Sequence, residues 1–411
     1  MTTRTRAERA ERLAARVAAE DPLLVEMRRH LHAHPELSGR ETATTAWIGQ
    51  HLRDLGLSPQ RLDVGTGLVC DIALGGAGPT SPTVALRADI DALAMPDEKD
   101  VGYRSQVDGV AHACGHDVHV TVVLGAARLL AAEAPGSEVA GTVRLVFEPS
   151  EETVPGGAVD VLREGWLDGV SAIFGLHCDP KLDVGLVGCR VGAITAASDM
   201  VELRVSGPGG HTARPQRTVD LVDVLARLVT ELPLVLAELA GRAGAFLLVF
   251  GAVHSGDAAN VIPSHGVVRG TLRTLDHDLW DRAPELMEKA VATVLEGSDA
   301  LWSLDHRRGV PPVVNDAHMT GVLAASVREA LTPDSVVDTE QSFGGDSFAW
   351  YLERVPGSYA RLGVHDPRGA RPRLDLHAST FDVDERAIGM GSLVLATVAL
   401  DVLDELDRTR R

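Results

Sequence analysis

Strand-like apolar runs alternate with helical patterns through the opening third of this chain, and that alternation is the signature of a layered α/β fold. The spacing predicts a helix near 41–55 (ETATTAWIGQHLRDL), a strand near 83–90, a helix near 118–132 and a strand near 141–148. A further apolar run, GVSAIFGLH, closes on His177. Polar groups collect where these runs stop. In an open α/β sheet the ligand crevice lies outside the carboxyl ends of the strands, so residues distant in sequence meet there.

Near residue 195 the pattern changes. Val201, Leu203 and Val205 alternate with Glu202 and Arg204, which predicts a half-buried strand; a helix from about 218 to 240 follows, then strands around 245–254 and 265–274. A second helix, with Asp276 as N-cap, runs to about 296, and a short strand follows it. The order βαββαβ predicts a small two-layer domain, inserted because the α/β rhythm resumes after the Pro-Pro of GVPPVVND. At 411 residues, and roughly 150 residues per domain, two domains are expected. Their boundaries read as 1–194, 195–309 for the insert, and 310–411.

Charge and cysteine content narrow the partners. With 39 basic against 58 acidic residues the formal charge is −19, which repels phosphate backbones and anionic lipid, so no nucleic-acid or membrane partner is expected. No apolar run approaches the roughly 20 residues that span a bilayer. The first thirty residues (MTTRTRAERAERLAARVAAEDPLLVEMRRH) read as an amphipathic, charge-mixed helix without an apolar signal core, and a cytoplasmic protein is expected. Four cysteines are too few for a disulfide scaffold; Cys70 reads as a buried inert thiol, and a Cys178–Cys189 pair is disfavoured. GGAGPT at 75–80 reads as a Gly/Pro-rich turn, and neither it nor GPGGH at 207–211 has the spacing of a dinucleotide site.

Five groups that bind divalent metals well, Cys114, His116, Glu152, His177 and His377, sit just past predicted strands or in loops leading into helices. HACGHDVH packs Cys114, His116, Asp117 and His119 together at the mouth of a helix, where the helix dipole favours thiolate, the metal-binding form. A Cys/His nucleophile pair is the competing reading, but no protease-type signature surrounds Cys114. FEPSEE places Glu151 and Glu152 after a strand, and such neighbours can divide labour, one holding metal and one taking a proton from water. Asp89 and Asp91 likewise end a strand, where a carboxylate beside a ligand His commonly fixes its tautomer. Singly, the acidic doublet or a lone strand-end His is more often a solvated loop charge or a capped strand end, and the Cys/His cluster alone is as readily a satisfied surface cluster. Their conjunction is what points to a metal site.

RRHLHAHPELS, LRADIDAL, HACGHDVH, FEPSEE with GGAVDVLREGWLDGV, IFGLH, GPGGHTARP, NVIP with GTLRT, and LHASTFDVDE occur in the order found in one family. Over about residues 27–400 the chain resembles the N-acyl-amino-acid amidohydrolases, which include hippurate and indoleacetyl-amino-acid hydrolases, within the dinuclear-metal aminoacylases and carboxypeptidases. The resemblance implies a zinc-peptidase-like α/β catalytic domain interrupted by a ferredoxin-like lid that commonly forms a homodimer. It implies Cys114, His116, Glu152, His177 and His377 as ligands of two divalent ions, with Zn or Mn foremost and Co or Ni compatible, and Glu151 as general base. It further implies that His211 of the lid reaches a neighbouring site to stabilise an oxyanion, and that Asn260 and Arg273 hold the substrate carboxylate. The expected reaction is hydrolysis of a small N-acyl amino acid; a dipeptidase of the same family and a non-catalytic metal-binding scaffold are the alternatives.

The chain departs from that family at several places. Ala94 replaces a usual Pro, Glu148 stands where Gln is common, and Cys178 replaces an aliphatic residue. The usual SEDF becomes Gly345-Asp346-Ser347-Phe348, which puts the support of the site and its substrate wall in question.

Overall fold

The computed structural model describes residues 6–410 apart from Pro79, Ala243, Ala370 and Arg371. The first five residues of the predicted N-terminal helix, and Pro79 of the Gly/Pro-rich turn, lie outside the described residues. The chain divides into two compact units. One comprises the chain up to Ile194, Val314–Glu340 and everything from Ser347 onward; the other comprises Thr195–Val313 and Gln341–Asp346.

The first unit is built on an eight-stranded sheet whose centre runs Gly141–Glu148, Thr83–Asp89, Val170–Asp183, Gly357–His365, each parallel to its neighbour. Every residue of Thr83–Asp89 after the first is buried, and so is every residue of Gly357–His365 before the last. Strands covered on both faces carry near-continuous apolar runs, which is why they read without alternation even though Arg87, Asp89 and Arg361 are buried within them. Leu68–Leu74 pairs antiparallel with Gly141–Glu148, and there Asp71 and Ala73 are exposed. Helices His116–Glu133 and Arg386–Arg410 pack on each other and on the strand Thr83–Asp89.

The segments His116–Gly136 and Arg386–Thr409 are long and apolar enough by composition to cross a bilayer, a length the sequence reading missed because single polar residues punctuate both. Their apolar windows are 67% and 89% buried, and Val118, Leu124, Leu395 and Leu400 join one core cluster. They are core helices of this unit. The strand ending the GVSAIFGLH run also differs from expectation. It continues through His177 to Asp183, because Gly357–His365 supplies ladder partners along it, His177 opposite Arg361 and Asp183 opposite His365.

In the second unit an antiparallel sheet runs Leu247–His254, His265–Thr274, Ala197–Ser206, Leu301–Val310. Helices Leu221–Leu239 and His277–Val294 pack together and on its second strand. Ala197–Ser206 buries every second residue from Ala197 to Val205, the period that separates a core face from a polar one. Asp276 caps the second helix by accepting the Leu279 N–H, and Asp220 accepts the N–H groups of Val222 and Asp223 at the first. Gln341–Asp346 joins this unit through hydrogen bonds that no local pattern announces. The Gln341 side-chain amide donates to the carbonyls of Thr195 and Leu275, and Ala196 N donates to Gly344 O.

Candidate metal centre

The parallel strands deliver the site. Glu148 and Asp89 are ladder partners at adjoining strand ends, and Glu151 and Glu152 lie in the loop immediately beyond. Cys114 precedes the helix His116–Glu133, and the turn between them is made by Gly115 at φ +90°, where a Cβ would come within 2.8 Å of Cys178 Sγ. Among the described residues only two non-glycines have positive φ, Ser150 at 58° and His377 at 63°. Both belong to the candidate site or its border: Ser150 precedes Glu151, and His377 is itself a candidate ligand. Such backbone persists only where neighbours hold it. Ser150 N donates to Glu41 Oε1 at 2.8 Å, and His377 N donates to Ala113 O at 2.8 Å.

Six of the nine sequence-predicted residues converge. Cys114 Sγ lies 3.5 Å from His177 Nε2, and Glu152 Oε1 lies 3.8 Å from His116 Nε2 and 3.6 Å from His377 Nε2. Glu151 Oε2 lies 3.9 Å from His116 Nε2. Potential ligand atoms fall into overlapping groups, Cys114 with His116 and His177, Cys114 with Glu152 and His377, and His116 with Glu151 and Glu152, each within 4.8 Å. Cys114 is common to two of them.

Hydrogen bonds fix which nitrogens face inward. His116 Nδ1 has only acceptors beside it, Asp91 O at 2.9 Å and Asp91 Oδ1 at 3.2 Å, so it carries the proton and Nε2 keeps its lone pair. His177 Nδ1 donates to Cys178 O at 2.7 Å, with the same result. His116 Nε2 and Glu152 Oε1 are buried with no hydrogen-bond partner among the described residues, the condition expected of atoms shaped for an ion. His119 also lies within ligand range of Asp89 and His116. It is already committed: Cys178 N donates to its Nε2 at 2.9 Å, and its Nδ1–H donates to Asp89 at 2.6 Å.

Electrostatics lean the same way. Burial raises the pKa of Glu152 and pushes the Cys114 thiol up, so both anionic forms are costly without a cation beside them. The helix terminus alone therefore does not make Cys114 a thiolate; that form, expected beside a cation, needs the ion to offset its desolvation. Burial opposes charge on His116, yet Asp89, Cys114 and Asp91 hold its pKa well above the ordinary value. Without an ion this anionic cluster therefore favours a second proton, on Nε2, where a bound divalent ion would take the lone pair instead. A thiol, imidazoles and carboxylates arranged this way fit a borderline divalent ion.

The departures at Glu148 and Ser347 meet in one place. Arg87, 2% exposed, donates to Glu148 Oε2 at 2.7 Å, Asp89 Oδ2 at 2.6 Å and Ser347 Oγ at 3.0 Å. Ser347 Oγ in turn donates to Glu148 Oε1, and Tyr351 OH donates to Glu148 Oε2 at 3.0 Å. Sequence reasoning missed this support, and it also missed Arg28. That fully buried residue of the N-terminal helix donates to Asp117 Oδ2 at 2.7 Å, directly after His116. The one signal for it was an arginine on an otherwise core-facing helical stripe.

The other three predicted residues belong to the second unit. His211 and Asn260 come together: His211 pairs with Val261, and Thr212 N donates to Asn260 O at 3.3 Å. Ala213 N donates to His211 Nδ1 at 3.1 Å, which puts the imidazole proton on Nε2. Arg273 Nη1 donates to Phe343 O at 2.6 Å, a scaffolding bond that the sequence did not announce.

Residues 85–401 match the sequence model of peptidase family M20/M25/M40. The chain is similar to a Rhodococcus jostii protein named as a glutamate–cysteine ligase, 45% identical over 92% of this chain. It spans 47% of that longer protein's length, so the ligase name rests on a protein with as much sequence again outside the match. It is also similar to an N-acetyl-L-cysteine deacetylase of Bacillus subtilis, 34% identical over 94% of this chain and 90% of that protein. Among solved structures, a dinuclear metal-binding peptidase of Bacillus subtilis superposes with a TM-score of 0.81 at 32% identity, covering 94% of this chain and 99% of that one. On the strength of a family match over most of its length and of full-length relatives, the chain belongs to peptidase family M20/M25/M40 and is a metal-dependent hydrolase.

Proposed function

We propose that this protein hydrolyses the amide bond of N-acyl amino acids, or of similar N-acylated small acids, to a carboxylic acid and a free amine. Cys114, His116, Glu152, His177 and His377 would hold two divalent ions, Zn or Mn foremost, since five ligands exceed what one tetrahedral ion takes up. When bound, the ions supply Lewis acidity, which makes water a nucleophile near neutral pH and polarises the scissile carbonyl. The observation that carries this reading is the convergence of the unpartnered His116 Nε2 and Glu152 Oε1 beside Glu151.

Glu151 serves as general base. Its Oε1 accepts from Ser347 N at 3.3 Å while Oε2 faces His116, so the carboxylate presents one oxygen toward the ligand cluster. It takes the proton of the attacking water and returns it to the departing nitrogen. His211 offers Nε2–H to the oxygen of the tetrahedral intermediate, from the partner subunit of a homodimer. Asn260 and Arg273 orient the substrate carboxylate.

Support comes from a relative named as an N-acetyl-L-cysteine deacetylase. The test is amine release from a panel of N-acetyl, N-benzoyl and longer N-acyl amino acids, alongside unblocked dipeptides, with and without added metal. Metal-dependent cleavage of the N-acyl compounds is expected. Cleavage confined to dipeptides would reassign the protein as a dipeptidase, and no cleavage of any compound would leave a metal-binding scaffold.

A further inference from the structure

Glu151 lies in a loop held at Ser150 by Glu41, at Glu152 by Asp91 and, beyond them, by the buried Ser347. Gly156, at φ +85°, sits so close to Ser347 that a Cβ there would come within 2.4 Å of Ser347 Cβ. Ser347 is itself fully buried and immediately precedes the short helix Phe348–Leu352. The same helix reaches the loop a second time, through Trp350 Nε1 donating to Pro155 O at 2.9 Å.

Ser347 is clamped from below. Its Oγ accepts from Arg87 Nη2 and donates to Glu148 Oε1, and both partners come from neighbouring parallel strands. Arg87 and Glu148 are also joined directly at 2.7 Å, and neither exceeds 2% exposure. A charge-assisted, fully desolvated arrangement of this kind has little freedom, because every donor that shifts leaves a buried group unsatisfied. The rigid end of the chain of contacts is thus the sheet, and its output is one backbone N–H aimed at Glu151 Oε1, 3.3 Å away. Fixing Oε1 sets the rotation of the carboxylate and leaves Oε2 toward His116.

From this we infer that Ser347 is a positioning residue for the base. The clamp formed by Arg87, Glu148 and Ser347 transmits the register of the sheet to Glu151, and so sets how its carboxylate meets the attacking water. The inference rests on Glu151 being the general base. Tightness of the clamp, unlike the ligand set, then determines turnover without determining metal retention.

A double-mutant cycle on the metal-loaded protein tests it, with kcat, KM and metal content measured for each variant. Ser347→Ala keeps the backbone N–H but releases it from the strands. The expected result is a roughly 10- to 100-fold fall in kcat, the scale of an ångström-sized misplacement, with KM and metal content little changed. In the Glu151→Gln background the same substitution should cost almost nothing, because no base remains to position. Equal losses in both backgrounds, or no loss in the native background, would overturn the inference, since a purely structural role is additive. Should Ser347→Ala fold poorly, Glu148→Gln loosens the clamp from its other side and must show the same dependence on Glu151. Failure of the underlying reading is visible separately: Glu151→Gln alone would then remain active.

Discussion

Glu151 and Glu152 are adjacent in sequence, yet their surroundings predict opposite defects when each is replaced by Gln. The Glu151→Gln side chain retains a carbonyl oxygen to accept the Ser347 N–H, so loop and fold survive. An amide does not accept a proton at neutral pH, and loss of a positioned base costs on the order of 10² to 10⁴ in rate, about 3 to 5 kcal/mol. Glu152 instead places Oε1, buried and unpartnered, 3.8 Å from His116 Nε2 and 3.6 Å from His377 Nε2. Glu152→Gln removes an anionic ligand, and the loss of metal affinity should exceed the roughly 10- to 100-fold that follows from deleting a group which only supports a ligand.

Steady-state kinetics and elemental analysis of dialysed protein, each repeated across a metal titration, separate the two. Excess metal should restore much of the activity of Glu152→Gln and none of that of Glu151→Gln. Near-normal turnover in the Glu151 variant, or metal loss from it equal to that of the Glu152 variant, would refute the division of roles.

Two further outcomes follow from other parts of the molecule. Asp97, whose side chain is 1% exposed, meets Lys99 Nζ at 3.1 Å and His32 Nε2 at 3.2 Å. Burial opposes its charge, but hydrogen bonds from His32, Ser105 and Lys99 hold its pKa well below the ordinary value. A depressed folded-state pKa means that the stabilisation is present above about pH 4 and is lost as pH falls from there through the folded value. Asp97→Asn should therefore cost about 2 to 4 kcal/mol in urea melts at pH 7 and proportionally less in strong acid; a pH-independent difference would contradict the assignment. For His211, mixing an inactive His211→Ala chain with an inactive Glu151→Gln chain should restore activity, because one site of the heterodimer holds both residues. Confirmed heterodimers without activity would place His211 within its own chain's chemistry or outside the reaction.

What the sequence disclosed and what it hid have different physical causes. The strand 141–148 and the second helix of the insert were legible because their signals are local: an apolar run that stops, and a capping aspartate, Asp276, followed by a helical stripe. The ligand candidates were legible because strand ends in parallel sheets are where chemistry collects. Support for them was not, since it is made between residues far apart in sequence. Arg28 finds Asp117, and Ser347 finds Glu148, only once the sheet has formed. The capture of Gln341–Asp346 by the second unit is of the same kind, as is the continuation of the strand through His177, which depends on Gly357–His365 beside it. Cys114 shows the limit of local electrostatics: its place before a helix favours thiolate, but its burial, which sequence does not reveal, makes that form depend on a cation beside it.

The most direct test of a metal-centred amide hydrolase is activity against metal equivalents. Chelator-treated, dialysed protein would be titrated with Zn or Mn, and amine release from an N-acyl amino acid that the native protein cleaves would be followed at each step. Negligible release is expected from the stripped protein, with a rise that levels off at two equivalents per chain, the number that five converging ligands call for. Full activity in the stripped protein, or a titration that leaves it inactive while two equivalents are demonstrably bound, would contradict metal-centred hydrolysis.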